Sequence, residues 1–534
     1  MTEAWWKHGV LYEIYTRSFG DANGDGVGDL DGITAHLDHV AWLGVDAIWL
    51  TPFYRSPMAD FGYDVSDHTD VDPLFGDLAA FDRLITAAHE RDLQVVVDYV
   101  PNHTSDRHPW FTDSRSSRNS ARRDWFFWRD AGRDGGPPNN WISLFGGPAW
   151  EWDQETGQYY LHTFLREQPD LNWRNPAVRD AMFDVARFWL DRGVDGFRVD
   201  VAGAVMKDPE LRDNPLNHGR PWRGMFGAEW EAQDHLHDFA HPDVHRVWRD
   251  FRSLVDGYDR RDGRDRVVIG EVPSHDLVQW AAYYGERLDG MHLPFGFHLL
   301  RHDWGSGTVG DVVERVEAAL PAGAASSWVL GNHDQHRVAT AAGPERARAA
   351  MMLLLTLRGA PTVYYGDELG MTNVDIPPDR IRDPWERNVP GQGRDAARTP
   401  MPWTDGPNGG FCPPGVAPWL PLGRPGLGID VASQMKDSHS MLALTRRLIE
   451  VRRQEPVLRG GAYRALDDLP PGVIAFLRED GGRRVAVALN LGHEAADVPL
   501  PGGRVIVSTG LDRDDPVKGS VALAPYEGVV VRLV

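Results

Sequence analysis

Short apolar runs that end in polar residues recur along the chain, separated by stretches with apolar residues at three- and four-residue spacing. The first pattern is typical of buried β-strands and the second of amphipathic helices. Alternation of the two indicates parallel strands joined by helical crossovers. The predicted strands are 10–19, 47–51, 93–100, 196–201, 267–271, 291–294, 328–332 and 361–365.

Eight such strands predict a (β/α)8 TIM barrel, and 534 residues leave room for insertions. The alternative is an open doubly wound sheet, but the sequence has no glycine fingerprint for phosphate binding. Residues 104–173 interrupt the alternation after the third strand and predict an inserted domain. From residue 460, short alternating runs broken by Gly, Pro and Asn predict a C-terminal antiparallel β-domain. The predicted divisions are 1–103 and 174–459 for the barrel, 104–173 for the insertion and 460–534 for the β-domain.

The composition, 42% hydrophobic and 25% charged, is that of a globular protein. A net charge of −22 argues against nucleic acid and anionic membranes as partners, because both are polyanions, and a neutral small molecule suits it better. No apolar run approaches the roughly 18–20 residues that span a bilayer. MTEAWWKHGV lacks the features of a secretory signal, and Cys412 is the only cysteine, so we expect a cytoplasmic protein without disulfides.

Acidic groups with Arg or His neighbours occur at the ends of four predicted strands. In a barrel the loops at this end of the strands build the pocket. One such carboxylate is often only a hydrogen-bonding hub, but several unpaired buried carboxylates would be costly unless they serve a function. The segments are DYVPNH (98–103), GFRVDV (196–201), IGE (269–271) and GNHD (331–334).

These four segments, in this order, resemble the short conserved regions of glycoside hydrolase family 13, the α-amylase superfamily. QPDLN (168–172), FGYDVSDH (61–68) and ARTPMPW (397–403) resemble its α-glucosidase and oligo-1,6-glucosidase branch. The resemblance runs from about residue 10 to residue 403 and implies the barrel, the insertion and the C-terminal β-domain. Seven matching segments in the right order make it specific.

The resemblance implies that Asp200 is the nucleophile, that Glu271 is the general acid and then the base, and that Asp334 helps to stabilise the transition state. Arg198 would keep the neighbouring nucleophile ionised. Asp60 and Tyr63 would close the first sugar site, which favours exo-action. The full set of implied substrate-binding residues is Asp60, Tyr63, His103, Arg198, His333 and Arg398.

The segment FGDANGDGVGD (19–29) places oxygen-bearing side chains at alternate positions, as in a calcium loop. Gly26 occupies the position of the sharp turn, but Gly32 stands where a bidentate Glu is expected. The alternative is an Asn-Gly and Asp-Gly turn that needs no ion. The resembling branch often binds Ca²⁺ or Mg²⁺ here, so we expect a structural Ca²⁺, with Mg²⁺ as the alternative and no organic cofactor. The expected ligands are Asp21, Asn23, Asp25, the Val27 carbonyl and Asp29.

The function implied is a retaining exo-α-glucosidase acting on short α-glucosides, namely maltose and malto-oligosaccharides, with isomaltose or sucrose as further substrates. Val201 favours α-1,6 activity in the resembling branch, whereas the following AGAVMKD favours α-1,4 activity, which we rank slightly ahead. The alternatives are an oligo-1,6-glucosidase and a glucosyl-transferring or isomerising enzyme of the sucrose or trehalose type. A non-catalytic, transporter-associated subunit is disfavoured, because such subunits carry a membrane helix and have commonly lost catalytic acids. RIRDPWER (380–387) is interpreted as a solvated loop, and a monomer or homodimer is expected.

Overall fold

All eight predicted strands are present and close into a parallel barrel, which excludes the open sheet. The structure is a computed structural model and describes residues 3–217, 226–274, 276–300, 304, 308–423 and 426–534. Each strand pairs with its neighbours in sequence, and the last pairs with the first. The strands are β1 (Leu11–Ile14), β2 (Ala47–Leu50), β3 (Gln94–Tyr99), β4 (Gly196–Val199), β5 (Val267–Glu271), β6 (Leu293–Phe295), β7 (Ser327–Val329) and β8 (Ala360–Tyr364).

The barrel strands are buried on both faces, which is why they read as apolar runs rather than as alternating ones. Successive side chains of a strand point to opposite faces. In β2, Trp49 belongs to the apolar cluster inside the barrel, whereas Ile48 and Leu50 belong to the cluster that packs outward against the helices. Val96 of β3 joins the inner cluster and Val97 the outer one. The interior is therefore a filled core, and a site is confined to its end.

Helices follow the strands and cover the barrel. Several begin at a side-chain cap: Asp77 accepts the N–H of Ala80, and Asn175 accepts the N–H of Ala177. Among the described residues, no helix combines the length and the apolar character needed to cross a membrane. The main connecting helices are Leu30–Ala35, Leu37–Leu43, Leu78–His89, Pro176–Asp191, Val244–Asp262, Leu277–Ala282, Val309–Ala319, Ala347–Thr356 and Met441–Gln454.

Three regions with antiparallel strands lie outside the barrel, and the first is a pair of short strands, Tyr54–Arg55 and Asp67–Val71, between β2 and β3. A small antiparallel sheet of Trp128–Arg129, Gln158–Leu161 and Trp150–Asp153 lies between β3 and β4. The C-terminal region is an antiparallel β-domain, as predicted, while the boundaries at 103, 173 and 459 stay predictions. Its main sheet has the order β9 (Ala462–Ala465), β10 (Val473–Asp480), β11 (Arg483–Asn490), Gly528–Leu533, Gly503–Ser508 and Pro516–Val517, and Ala496–Pro499 pairs with Ser520–Leu523.

The first predicted strand, 10–19, was too long. It ends at Ile14, and Thr16–Phe19 forms a short helix. The cause is a contact with β2: the N–H of Thr16 donates to the Thr51 hydroxyl, and the Thr16 hydroxyl donates to the Thr51 carbonyl. These bonds turn the chain at the top of the barrel, and such a long-range contact leaves no signal in a local apolar run.

Candidate active site

Three carboxyl groups from neighbouring strand ends meet on one guanidinium. Arg198 Nη1 lies 2.8 Å from Asp98 Oδ1 and 2.8 Å from Asp200 Oδ1, and Nη2 lies 2.6 Å from Glu271 Oε2. Arg198 is fully buried and stacks over the Trp49 ring at 4.9 Å. The carboxyl ends of β3, β4 and β5 thus bring together groups that are about 70 to 170 residues apart in sequence.

One guanidinium cannot balance three buried carboxylates. Burial raises the pKa of Asp200 well above its ordinary value and also raises the pKa of Glu271, while Arg198 opposes both shifts. The mutual repulsion of the carboxyl groups acts in the same direction as burial. The cluster therefore keeps a proton at a pH at which isolated carboxyl groups would be ionised. Acid–base catalysis by two carboxyl groups requires that one of them be protonated.

Val201, directly after Asp200, has a backbone conformation that β-branched residues rarely adopt. Its φ is 37°, in the left-handed region. In this conformation the N–H of Val201 donates to Glu271 Oε2 over 3.1 Å. Backbone strain of this kind costs about 1–3 kcal/mol and persists where the surroundings hold it. The Val201 N–H therefore links the backbone directly after Asp200 to the side chain of Glu271.

Asp334 is the fourth carboxyl group at this end of the barrel, and two arginines and a histidine surround it. Arg398 Nη2 lies 2.7 Å and Arg394 Nη1 3.3 Å from its Oδ1, and His333 Nε2 lies 3.3 Å from its Oδ2. Burial acts to raise the pKa of this carboxyl, but His333 and the two arginines hold it below its ordinary value. Asp334 is therefore ionised, whereas the cluster around Arg198 keeps a proton.

A buried ion pair closes one end of the cleft. Arg394 Nη2 lies 2.6 Å from Asp60 Oδ1 and 2.8 Å from Asp383 Oδ1. Gln168 Nε2 donates to the other oxygen of Asp60 over 3.2 Å. The side chains of Asp60 and Arg394 are only 5% and 6% exposed, so the pair blocks this end instead of extending into solvent.

Tyr63 and His103 belong to the polar wall of the cleft, and the buried His333 bonds Tyr63 from behind. The Tyr63 hydroxyl lies 2.6 Å from His333 Nε2 and 3.2 Å from Asp98 Oδ2. His103 Nε2 lies 3.1 Å from Gln168 Nε2, and burial lowers the pKa of His103 to about 4, so this ring is neutral at physiological pH.

The predicted site residues occupy two layers. Asp60, Tyr63, His103, Asp200, Glu271 and Asp334 line one cleft. Arg198, His333 and Arg398, which the sequence suggested as substrate contacts, are fully buried and each bonds a residue of that wall. The remaining wall is largely apolar. The cleft is lined by Asp60, Tyr63, His103, Leu144, Phe145, Phe164, Asp200, Val201, Phe226, Trp230, Phe239, Glu271, Pro273, Phe297, Asp334, Gln335, Trp385 and Arg394.

The interpretation of RIRDPWER as a solvated loop was wrong for part of the segment. Asp383 is fully buried and bonds Arg394, and Trp385 is 4% exposed and lines the cleft. The Asp383 carboxyl caps the short helix Pro384–Asn388, and Asp-Pro before a Trp is a recognisable helix start. That signal could have identified an ordered segment. Nothing local could have shown that Arg394 reaches Asp60, because 334 residues separate them.

The predicted ion loop lies outside this cleft, and hydrogen bonds within it hold its shape. Asp21 accepts the N–H groups of Gly24 and Gly26, and Asp29 caps the helix Leu30–Ala35 through Gly32. Asn23 and Asp25 accept backbone N–H groups two residues further on. Among the described residues, no three His, Cys, Asp or Glu side chains are grouped so that they could hold a metal ion. The loop has the oxygen donors but is not a preformed cage, and Ca²⁺ or Mg²⁺ binding stays a prediction.

Comparison with known proteins identifies the family. Residues 13–461 match the alpha amylase catalytic domain, and residues 460–530 match a domain of unknown function, DUF3459. A probable alpha-glucosidase of Rhizobium meliloti (strain 1021) is 42% identical over 510 residues, which cover 93% of this chain and 91% of the relative. An oligo-1,6-glucosidase of Parageobacillus thermoglucosidasius is 34% identical, and the match covers 100% of both chains.

A solved structure gives the same result in three dimensions. The crystal structure of the alpha-glucosyl transfer enzyme XgtA superposes with a TM-score of 0.91 at 40% identity, and the match covers 100% of both chains. The buried carboxyl cluster at the strand ends and these similarities point to the same family. The chain belongs to glycoside hydrolase family 13, in its α-glucosidase and oligo-1,6-glucosidase branch, and is a glycoside hydrolase.

Proposed function

We propose that this protein is a retaining, exo-acting α-glucosidase that hydrolyses short α-glucosides through a covalent glucosyl–Asp200 intermediate. The observation that carries the proposal is that Asp200 and Glu271 bond to the two terminal nitrogens of one guanidinium. This arrangement keeps the two carboxyl groups close, and retaining glycosidases need a separation of about 5–5.5 Å.

In the first step an oxygen of Asp200 attacks the anomeric carbon, and the bond from that carbon to the leaving oxygen breaks. Glu271 gives its proton to the leaving oxygen, so the leaving group departs as a neutral alcohol. In the second step Glu271 takes a proton from water, the hydroxide attacks the anomeric carbon, and the bond to Asp200 breaks. Two displacements at one carbon return the original configuration.

The surrounding residues have supporting roles in this proposal. Arg198 holds Asp200 ionised for attack, and the Val201 N–H holds Glu271 beside it. The ionised Asp334 faces the positive charge that develops on the sugar in the oxocarbenium-like transition state. Tyr63 offers a ring for stacking on the sugar, and His103 offers a neutral imidazole for hydrogen bonding to its hydroxyl groups.

The shape of the cleft supports exo-action on short substrates. The Asp60–Arg394 pair closes one end, which favours a terminal glucose over an internal one at this site. Phe145, Phe297 and Trp385 give the cleft an apolar wall. Maltose and short malto-oligosaccharides are the proposed substrates, and isomaltose and sucrose are the next candidates.

Glucosyl transfer is the second candidate. The apolar wall disfavours ordered water near the glucosyl-enzyme relative to the hydroxyl group of an organic acceptor, and the solved structure of XgtA is that of an alpha-glucosyl transfer enzyme. Hydrolysis and transfer share the first step and differ only in which hydroxyl group attacks the intermediate.

A substrate panel tests the proposal. Purified protein is incubated with maltose, isomaltose, sucrose and trehalose, and products are followed by chromatography, with Asp200→Asn and Glu271→Gln as controls. We expect glucose from maltose and a loss of about 10⁴-fold or more in kcat for Asp200→Asn, because the covalent route is lost. No turnover of any substrate, or equal turnover by the wild type and the Asp200→Asn variant, would sink the assignment.

A further inference from the structure

Glu13, on β1, is a buried acid that the mechanism above does not use. It is fully buried and does not line the cleft. Its Oε1 lies 2.6 Å from His333 Nδ1 and accepts the His333 backbone N–H over 3.2 Å. Its Oε2 makes no hydrogen bond within the described residues. A buried acid in such a position needs an explanation, since an unpartnered carboxylate oxygen is costly.

The other ring nitrogen of His333 faces two oxygens. Nε2 lies 2.6 Å from the Tyr63 hydroxyl and 3.3 Å from Asp334 Oδ2. Asp334 is ionised and can only accept. The Tyr63 hydroxyl has its own acceptor in Asp98 Oδ2 at 3.2 Å. A proton on Nε2 satisfies every one of these contacts, whereas a lone pair on Nε2 would face the Asp334 carboxylate.

The position of the proton on the His333 ring decides whether Glu13 is protonated. Burial lowers the pKa of His333 well below its ordinary value, so the ring is neutral and carries one proton. With that proton on Nε2, Nδ1 has a lone pair, and the group opposite must donate to it. Glu13 is the group opposite, and burial raises the pKa of its carboxyl well above the ordinary value. A protonated Glu13 also tolerates its unpartnered oxygen better than a carboxylate does.

We propose that Glu13 is a positioning residue for the proposed glucosidase reaction: as a neutral carboxylic acid it donates to His333 Nδ1 and thereby keeps Nε2–H directed at Tyr63 and Asp334. The hydrogen bonds then run in one direction, from Glu13 to His333, from His333 to Tyr63 and Asp334, and from Tyr63 to Asp98. The ring is held flat between two tyrosines, Tyr15 at 5.7 Å and Tyr63 at 5.5 Å.

The charges around this chain of hydrogen bonds come from several strands. Asp98 and Asp334 disfavour a carboxylate at Glu13, and Arg198 favours one. Arg398 Nε donates to the His333 carbonyl over 2.6 Å and disfavours an imidazolium. Tyr364 and Tyr365 of the β8 end also face Glu13 and are uncharged. Two acidic groups against one buried arginine near Glu13, together with its burial, therefore support the neutral acid.

The test compares two replacements of Glu13. Glu13→Gln keeps an N–H donor for Nδ1 and gives up only the weaker 3.2 Å contact with the backbone N–H, so kcat/KM for maltose should stay within about threefold of wild type. Glu13→Leu removes the donor, and the ring can then move its proton to Nδ1. We expect kcat/KM to fall about 100-fold, the size seen when one preorganised transition-state donor is lost, with the loss in kcat rather than in KM.

Glu368→Leu is the matched control. Glu368 is also fully buried and bonds Tyr12 of the same strand over 2.7 Å, but it does not contact the cleft. Both leucine variants should lower the melting temperature, and only the Glu13 variant should lose kcat. Full activity of Glu13→Leu would overturn the inference while leaving the glucosidase proposal intact. If Glu13→Leu does not fold, Glu13→Gln decides alone, since a loss of about 20-fold or more would show that charge, rather than hydrogen-bond donation, is what Glu13 supplies.

Discussion

Each carboxyl group in the site has its proton affinity set by different neighbours. Asp334 is surrounded by Arg398, Arg394 and His333 and is ionised, whereas Asp200 and Glu271 share one arginine with a third acid. Residue types and strand-end positions could be predicted from the sequence, because apolar runs mark where strands stop. The protonation state of each residue could not be predicted from the sequence, because it depends on distant partners. Arg394, for example, lies more than 300 residues away from Asp60.

The pH dependence of the reaction tests the role of Glu271. Burial raises its pKa, so its protonated form survives above the ordinary glutamate value of about 4.3. As pH rises through the raised pKa, the acid loses its proton, and kcat/KM for maltose should fall. The control substrate is α-glucosyl fluoride, whose leaving group needs little protonation. An alkaline limb of the same depth for both substrates would contradict the assignment of Glu271 as the acid.

At the scale of elements, the regular parts of the barrel were predictable and the connecting loops were not. All eight strands follow from buried apolar runs, and the largest error in length was in the first, since Thr16 is turned by a contact with Thr51. The loop segments 58–63 and 380–398 build the closed end of the cleft by pairing with each other. Such pairings between distant loops leave no periodic pattern in the sequence.

The loop at 19–29 carries a prediction of its own. If it binds Ca²⁺, chelation with EDTA should lower the melting temperature by several degrees, because a ligand that binds only the folded state stabilises it. Asp25→Asn is the matched variant: an asparagine oxygen can still accept the Val27 N–H over 2.8 Å, but the charge that attracts a cation is gone. We expect added Ca²⁺ to raise the melting temperature of wild type and not that of the variant. An identical response of the two proteins, or none in either, would contradict an ion site.

At the scale of the whole molecule, the C-terminal sheet shares its core with the barrel. In β10, Ile474 and Phe476 belong to the apolar cluster around the barrel, whereas Val473 and Ala475 belong to the separate core of the sheet. Arg478 lies on the barrel-facing side of the same strand and is fully buried. It donates to the carbonyls of Thr356, Leu458 and Gly461, and thus joins the sheet to a barrel helix.

Replacement of Arg478 by methionine tests this contact between the C-terminal sheet and the barrel helix. Burial lowers the pKa of Arg478 to about 9, and its bonds are to carbonyl groups, which would be left unpaired in the variant. We expect the free energy of unfolding to fall by about 2 kcal/mol in thermal melts, with kcat/KM unchanged below the melting transition. Arg464→Met, an exposed change on neighbouring β9, should shift stability by less than about 0.5 kcal/mol. Equal effects of the two changes on the free energy of unfolding would show that the buried hydrogen bonds of Arg478 do not stabilise the contact between the sheet and the barrel.

The central claim is that cleavage proceeds by two displacements at one carbon, through Asp200. The most direct measurement is ¹H NMR of the hydrolysis of an aryl α-glucoside, which releases a single glucose, in the first minutes before that glucose mutarotates. The account predicts that α-glucose appears first and that the β-anomer grows in only at the rate of mutarotation. If β-glucose is the first product, water attacks the substrate directly, and the proposed covalent intermediate on Asp200 is wrong.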